Sequence, residues 1–591
     1  MAGVEKLITE HIDVWTSAIK KRNATGRGTS KKIELTGIKK LRELILELAV
    51  RGKLVPQDAS DEPASVLLEK ISQIKQQLIS NKTIKKTRKQ PEISTEDQLY
   101  TLPSGWAWAR LEDVYDVRDG THDSPKAQLT GYPLVTSKNL SSGKLDLSDI
   151  KYISEADHLK IIARSKVDRD DILFAMIGSI GNPVIVDLEP DFSIKNVGLF
   201  KYFDKDLSVP LFLKNYLIYA SVIIKSQSGG GVQPFVSLGK LRSFVISLPP
   251  LAEQHRIVAK VDELMALCDQ LEQQTEQSLS AHQTLVEVLL ASLTNGTSAD
   301  DDNKEDFQTS WQRIAEHFDV LFTTEASIEQ LKQTILQLAV MGKLVPQNPN
   351  DEPASVLLDK IAEEKAQLIA DKKIKKQKPL PAITDEEKPF ELPNGWEWTT
   401  LSHIGVFTGG KTPSKANSDY WNGDVPWVTP KDMKVEEIFD SEDHVTKLAI
   451  TDGLAQIDTE SLLFVARSGI LRRKFPVAIT KSVCTVNQDL KVLSLIDKYI
   501  ANYVLLMMKG FEMYILENLT KIGTTVESLR FDDFSKHYFI MPPLKEQQRI
   551  VAKVDELLAL CDQLKARLGD AQTTQLHLAD AVVENALGDA L

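Results

Sequence analysis

The chain has 591 residues, 42% of them hydrophobic and 26% charged, and a formal net charge of -12 at neutral pH. This is ordinary globular material, enough for about four domains and large enough to bury several cores. The acidic balance excludes a protein coated in nucleic acid, although a local basic groove can sit on an acidic body.

At the amino end, MAGVEKLITEH lacks the hydrophobic centre of a signal peptide, and no later run approaches the roughly 20 apolar residues of a membrane helix. A cytoplasmic protein with no membrane partner is expected. Cys268, Cys484 and Cys561 lack C-x-x-C spacing, which predicts buried thiols in place of a zinc cluster or a disulfide frame.

An internal repeat organises everything else. LRELILELAVRGKLVPQDASDEPASVLLEKI (41 to 71) returns as LKQTILQLAVMGKLVPQNPNDEPASVLLDKI (331 to 361). LPSGWAW (102 to 108) becomes LPNGWEW (392 to 398), and PPLAEQHRIVAKVDELMALCDQL (249 to 271) becomes PPLKEQQRIVAKVDELLALCDQL (542 to 564). The middles between these matches, 109 to 248 and 399 to 541, share few positions. Similar flanks imply a shared task and dissimilar middles imply different ones. A repeated frame that meets two copies of one partner while carrying two readers fits, and so does a fusion of unrelated readers.

In chain order, glycine stops at Gly52 and Gly342 are followed by helices opened by Pro63 and Pro353, with Ser65 and Ser355 in their first turns. Both helices end in lysine-rich tails, NKTIKKTRKQP and DKKIKKQKPLP, which read as solvated linkers or as phosphate contacts. Each middle then carries a buried strand, a glycine turn and a second strand, DDILFAMIGSIGNPVIV (170 to 186) and ESLLFVARSGILRRKFPVAI (460 to 479). Helical stretches VPLFLKNYLIYASVII and YIANYVLLMMKGFEMYI follow. This predicts an α+β module present twice.

Cations cluster in these modules. Arg467, Arg472, Arg473 and Lys474 lie in the second hairpin, and Arg164, Lys166 and Arg169 lie just upstream of the first; Lys138 and Lys225 complete the candidate set. Arginine presents a planar fork that grips guanine O6 and N7 or a phosphate. Between Asp206 and Glu253 there is no carboxylate, while Lys214, Lys225, Lys240, Arg242 and the loop SQSGGGVQP lie there, a stretch suited to phosphates.

GVFTGGKTPSK (405 to 415) matches the nucleotide-binding pattern G-x-x-x-x-G-K-[ST] from Gly405 to Thr412. That chemistry needs a helix opening after the loop, and here Pro413 and SKANSDYWNGD read as turns. Lys411 and Thr412 are therefore expected on a surface loop.

Each module ends in a helix. Ile257, Val261, Leu264, Cys268 and Leu271 advance by four, three, four and three, and Ile550, Val554, Leu557, Cys561 and Leu564 repeat the pattern. This is the spacing of a coiled-coil seam. A helix from Leu251 to near Leu293 spans on the order of 60 Å. Two such helices can pair with each other or pack on their own domains.

Taken together, G-W-x-W at each module's start, GG-K-TP...YW-G-VPWVT at 409 to 429, LLFVARSG, and P-P-L-x-E-Q-x-R-I-V-x-K-V-D-E-L at each module's end resemble the specificity subunit of type I restriction-modification enzymes. The resemblance covers nearly the whole chain. It implies an α+β fold with target-recognition domains at 102-250 and 392-543, alternating with helical regions at 1-101, 251-391 and 544-591. The long helices are expected to pair as an antiparallel coiled coil with pseudo-two-fold symmetry. The implied task is reading an asymmetric, bipartite site on double-stranded DNA for phage defence. The implied partners are two methyltransferase subunits, which use S-adenosylmethionine on adenine N6, and two restriction subunits, which use ATP and magnesium to translocate. No cofactor, metal or catalytic residue is assigned to this chain, and Lys411 and Thr412 become DNA-facing residues. The first copy departs from A-R-S-G at Ala175-Met176-Ile177-Gly178, which counts against a role for that turn.

From the residues alone, no N-P-P-[YF] tetrad, no cofactor fingerprint and no nuclease carboxylate cluster is present. The competing readings are a helical adaptor that binds only proteins and a nucleotide hydrolase using Lys411.

Overall fold

The computed structural model describes residues 2–21, 33–87, 90–228, 234–294, 307–375, 392–523 and 526–588. The lysine-rich tails and the SQSGGGVQP loop fall partly outside these residues, as does the expected boundary at 391. The chain forms two compact units, Met1–Ser278 with Asp570–Leu591, and Leu279–Gly569. No helix among the described residues is long and apolar enough to cross a membrane.

In the first unit, helix Thr36–Val50 buries Leu41, Leu44, Ile45 and Leu48, which recur at three- and four-residue spacing on one face. It ends at Gly52, whose φ of 70° lies in the left-handed region. A Cβ there would sit 2.5 Å from Pro103 Cγ and 2.9 Å from the Trp106 ring, so the chain needs glycine on both counts. Gly342, with φ 68°, repeats this against Pro393 and Trp396. The following helices, Ala64–Ser80 and Ala354–Ala370, have Pro63 and Pro353 as N-caps.

The module of the first unit is closed by a two-stranded antiparallel ribbon, Ala107–Arg110 with Val245–Leu248. Its main sheet runs in the order Tyr115–Asp119, Val197–Tyr202, Ile172–Ala175, Gly181–Ile185, all antiparallel. A three-stranded sheet holds Tyr132–Val135 between Lys151–Ile153 and the parallel strand Ser193–Ile194. Ile172–Ala175 is buried on both faces, as its unbroken apolar run requires. Helix Pro210–Ser226 occupies the stretch expected to be helical.

The second unit repeats this plan despite its different sequence. The ribbon is Glu397–Thr400 with Tyr538–Met541, and the main sheet is ordered Gly405–Gly409, Leu490–Leu495, Ser461–Val465, Val477–Thr480, with Glu437–Ile438 added at the edge. The three-stranded sheet returns as His444–Val445, Trp421–Val428 and Thr485–Val486. Side chains drifted while the buried strand pattern, which sets register and face, was kept.

The two long helices are Leu251–Thr294 and Leu544–Gly588, 44 and 45 residues. Ile257, Val261, Leu264 and Cys268 are buried and Leu271 is half-buried; Ile550, Val554 and Cys561 are buried, with Leu557 and Leu564 half-buried. In the first unit, Arg42 donates at 2.6 Å to Asp269 and also pairs with Glu272, while Lys40 pairs with Asp580 near the other helix's end. In the second unit, Gln330 donates to Glu287 at 2.9 Å, Lys565 pairs with Glu329 at 2.7 Å, and Lys332 pairs with Asp562. One apolar cluster there takes in Val286, Leu290 and Leu293 with Ile550, Val554 and Cys561. In each unit the short helix before the module, Thr36–Val50 or Glu325–Val340, thus contacts both long helices.

Candidate nucleic-acid interface

Each module is fixed to its long helix by a duplicated polar junction. The Trp106 indole donates to Glu253 at 3.0 Å and the Trp396 indole donates to Glu546 at 3.1 Å. Gln57 and Gln347 donate to the same carboxylates, at 3.0 and 3.5 Å. Arg256 pairs with Asp61 at 2.5 Å and Arg549 with Asp351 at 2.6 Å. Burial pushes both glutamates above the usual carboxylate range, against the lowering effect of the bonds they accept and of the nearby arginines. The repeated motifs therefore join the start of each module to the first turn of its helix, a pairing that sequence separation conceals.

The loop from Gly405 to Thr412 is not a nucleotide cradle. Gly405–Gly409 is a strand, and the next helical segment is the three-residue Ser418–Tyr420. The Lys411 N–H, which a phosphate would need, donates instead to Val486 O at 3.0 Å. A Cβ on Gly410 would lie 2.1 Å from Asn487 O, so this glycine serves close strand packing. Lys411 is exposed, and Thr412 Oγ1 donates to the Gln488 side chain.

The first module has the matching arrangement. A Cβ on Gly120 would lie 2.3 Å from Ile194 O, and Thr121 N–H donates to Ile194 O at 3.0 Å. Two residues past that glycine, His122 Nδ1 meets Asn196 Oδ1 at 3.0 Å, and its Nε2 meets the buried Asp119 at 2.9 Å. Arg164 pairs with the same Asp119. Beside them opens a cleft of about 690 Å³ lined in part by Lys138, Lys151, Ile177, Lys195 and Asn196.

Of the candidate cations, Lys138 lines this cleft, its ammonium held above its usual range by the hydrogen bond it donates to Asp149. Arg164 lines an adjoining cleft of about 340 Å³. Lys166 pairs with Asp168 at 3.2 Å and Arg169 with Glu189 at 3.8 Å; these two and Lys225 line neither cleft. In the second module Arg467 pairs with Asp489 at 3.1 Å, next to Gln488, and Arg472 pairs with the buried Glu527. Arg473 and Lys474 are exposed, with no side-chain partner among the described residues. Arg242 is not a free cation, because its Nε donates to Val117 O at 2.9 Å.

The backbone also corrects the register of the A-R-S-G turn. Val197 opposes Ala175 where Leu490 opposes Val465, and Ile177 bridges Phe235 where Arg467 bridges Ser528. Ala466-Arg467-Ser468-Gly469 therefore matches Met176-Ile177-Gly178-Ser179, one residue later than the sequence suggested. Ile177 stands at the place of Arg467.

The type I restriction modification DNA specificity domain family matches residues 103–281 and 393–570. The EcoAI specificity subunit of Escherichia coli is 40% identical over 99% of this chain and 100% of its own length. The EcoEI specificity subunit of Escherichia coli is 38% identical over the same shares. The HsdS subunit of Thermoanaerobacter tengcongensis matches in structure at a TM-score of 0.37 and 18% identity, covering 83% of this chain and 99% of that one.

Proposed function

The chain belongs to the specificity subunits of type I restriction-modification enzymes, and on that footing we propose how it divides its work. The modules at 102-250 and 392-543 each bind one half of a split, asymmetric site on double-stranded DNA, and the regions 1-101, 251-391 and 544-591 form the frame. One observation carries this reading: the two modules share a topology and a polar junction while differing in the side chains on their corresponding loops. Equal frames dock like partners, and unlike faces read unlike bases.

The long helices pair as an antiparallel coiled coil with pseudo-two-fold symmetry and set the distance between half-sites. This is supported by their exchange between units, each beginning in one and ending in the other, and by the contacts of one short helix in each unit to both. At about 1.5 Å per residue each helix exceeds the roughly 34 Å of one DNA turn. Lys138, Arg164, Lys166, Arg169, Lys225, Lys411, Thr412, Arg467, Arg472, Arg473 and Lys474 face DNA, mostly as phosphate contacts.

Chemistry belongs to the partners: two methyltransferase subunits with S-adenosylmethionine and two restriction subunits with ATP and magnesium, assembled in the cytoplasm. The chain itself makes and breaks no covalent bond, a reading supported by the strand-to-turn geometry at Lys411. The test exchanges residues 109 to 248 for those of a relative and maps methylated adenines in a host that also carries the methyltransferase. One half of the motif should change. A change in both halves defeats the modular reading, and in a gel shift of the chain with its methyltransferase partner, sequence-independent or absent DNA binding at moderate salt would favour the protein-binding adaptor.

A further inference from the structure

Resting on the reading that both modules bind DNA, we propose that Asn196 and Gln488 are the base-reading amides of the two modules. His122 and Thr412 are the positioning residues that hold them. The same construction appears twice in unlike sequence. The opening strand of the main sheet ends at a glycine packed on the link between two later strands, Gly120 on Ile194-Lys195 and Gly410 on Val486-Asn487. The second residue past that glycine bonds a side-chain amide of the link, His122 to Asn196 at 3.0 Å and Thr412 to Gln488. The link is Lys195-Asn196 in the first module and Asn487-Gln488-Asp489 in the second, so the contact survives an added residue.

Fold alone does not require an amide here. Asn196 has φ 54°, a conformation asparagine tolerates, but no positive φ is found at Gln488, which is exposed. In both pairs the partner engages the amide oxygen, leaving its second lone pair to accept and the NH₂ to donate. Neither NH₂ group has another partner among the described residues. Adjacent donor and acceptor atoms match the N6 and N7 edge of adenine in the major groove. Each amide is flanked by charge that can hold the backbone: Lys138 and Lys195 on the cleft of Asn196, and Arg467 on Asp489 beside Gln488. The positioning residues are themselves fixed. His122 leans on the buried Asp119, and the backbone of Lys411 is tied to Val486 and, at 3.2 Å, to the Trp427 indole.

The test uses the full chain with its methyltransferase partner and maps methylated adenines across the host genome. Asn196→Ala should relax one base pair in one half-site, and Gln488→Ala one base pair in the other. Discrimination at that pair should fall roughly 5- to 150-fold, the range expected for one bidentate contact. His122→Ala and Thr412→Val should relax the same pairs less. Where a variant abolishes methylation, competition with duplexes changed one base pair at a time replaces the map. A preference flattened at one pair supports the proposal, and uniform loss at every pair overturns it. An unaltered motif in the Asn196 and Gln488 variants overturns this proposal alone, whereas a wild-type chain with no split motif overturns the DNA-reading function as well.

Discussion

Trp106 and Glu253 meet through a 3.0 Å hydrogen bond although 147 residues separate them. The bond ties the first residues of a module to the helix that leaves it, and Trp396 with Glu546 does the same in the second copy. Glu253→Ala strands the buried Trp106 indole and a donor on Gln57, so it should destabilise the first unit by about 2–4 kcal/mol in denaturant unfolding. Glu546→Ala should do the same for the second. Glu→Gln keeps one acceptor and should lose less, about 1–2 kcal/mol. Equal unfolding of wild type and Glu253→Ala would show that the junction does not hold the module.

The same carboxylates predict a pH dependence. Burial raises their folded pKa above the unfolded value of about 4.3, so the stability they contribute is complete below that value and is lost as pH rises through the folded pKa. The stability of wild type minus that of the Glu253→Gln, Glu546→Gln double variant should therefore fall as pH is raised from about 4 toward neutrality. Unfolding curves at matched salt check this, and a difference that grows with pH would reverse the assignment.

Gly52 and Gly143 separate two reasons for glycine. Both have positive φ, 70° and 73°, but a Cβ at Gly52 meets Pro103 at 2.5 Å while nothing lies within 4 Å at Gly143. Gly143→Ala should therefore lose about 1 kcal/mol from backbone strain alone, and Gly52→Ala about 2–4 kcal/mol once the clash with the proline is added. Thermal unfolding of the two variants gives the comparison. Equal losses would mean the Pro103 contact yields freely.

Much of this architecture was legible because it is periodic or repeated. The four-three spacing from Ile257 to Leu271 marked a helical seam there, and the observed helix, Leu251–Thr294, runs well beyond it. The strand-turn-strand units at 172 and 461 followed from short apolar runs around glycine turns. The shared strand order of the middles was not legible beyond those units, since buried positions accept many apolar side chains once the face is kept. Nor was the state of single cations: Arg242 lies in a stretch free of carboxylates, yet a backbone carbonyl across the fold takes its guanidinium. Pairs such as His122 with Asn196 depend on strand order, which no local pattern encodes. The repeated Trp and Glu of the flanking motifs were the available signal for the junction.

Arg473 and Lys474 are exposed and without side-chain partners among the described residues, unlike Arg472, which is paired with Glu527. As phosphate contacts, Arg473→Ala and Lys474→Ala should each weaken DNA binding about equally across sequences and reduce the salt slope of log affinity by about 1. The methylated motif should stay as it was. A base-specific change with Arg473→Ala would place that guanidinium on a base edge instead.

The ruler role of the long helices predicts a change of spacing without a change of bases. The units divide at Ser278 and Leu279 in one helix and at Gly569 and Asp570 in the other, so a heptad inserted at both points leaves each unit's contacts intact. Seven residues add about 10.5 Å, equivalent to about three base pairs at 3.4 Å each, and preserve a coiled-coil register. The doubly lengthened chain should methylate a motif with the same two half-sites and a gap longer by about three base pairs. Lengthening one helix alone puts the seams out of step and should lower methylation of any motif. A double insertion that leaves the gap unaltered would mean that something other than these helices fixes the distance.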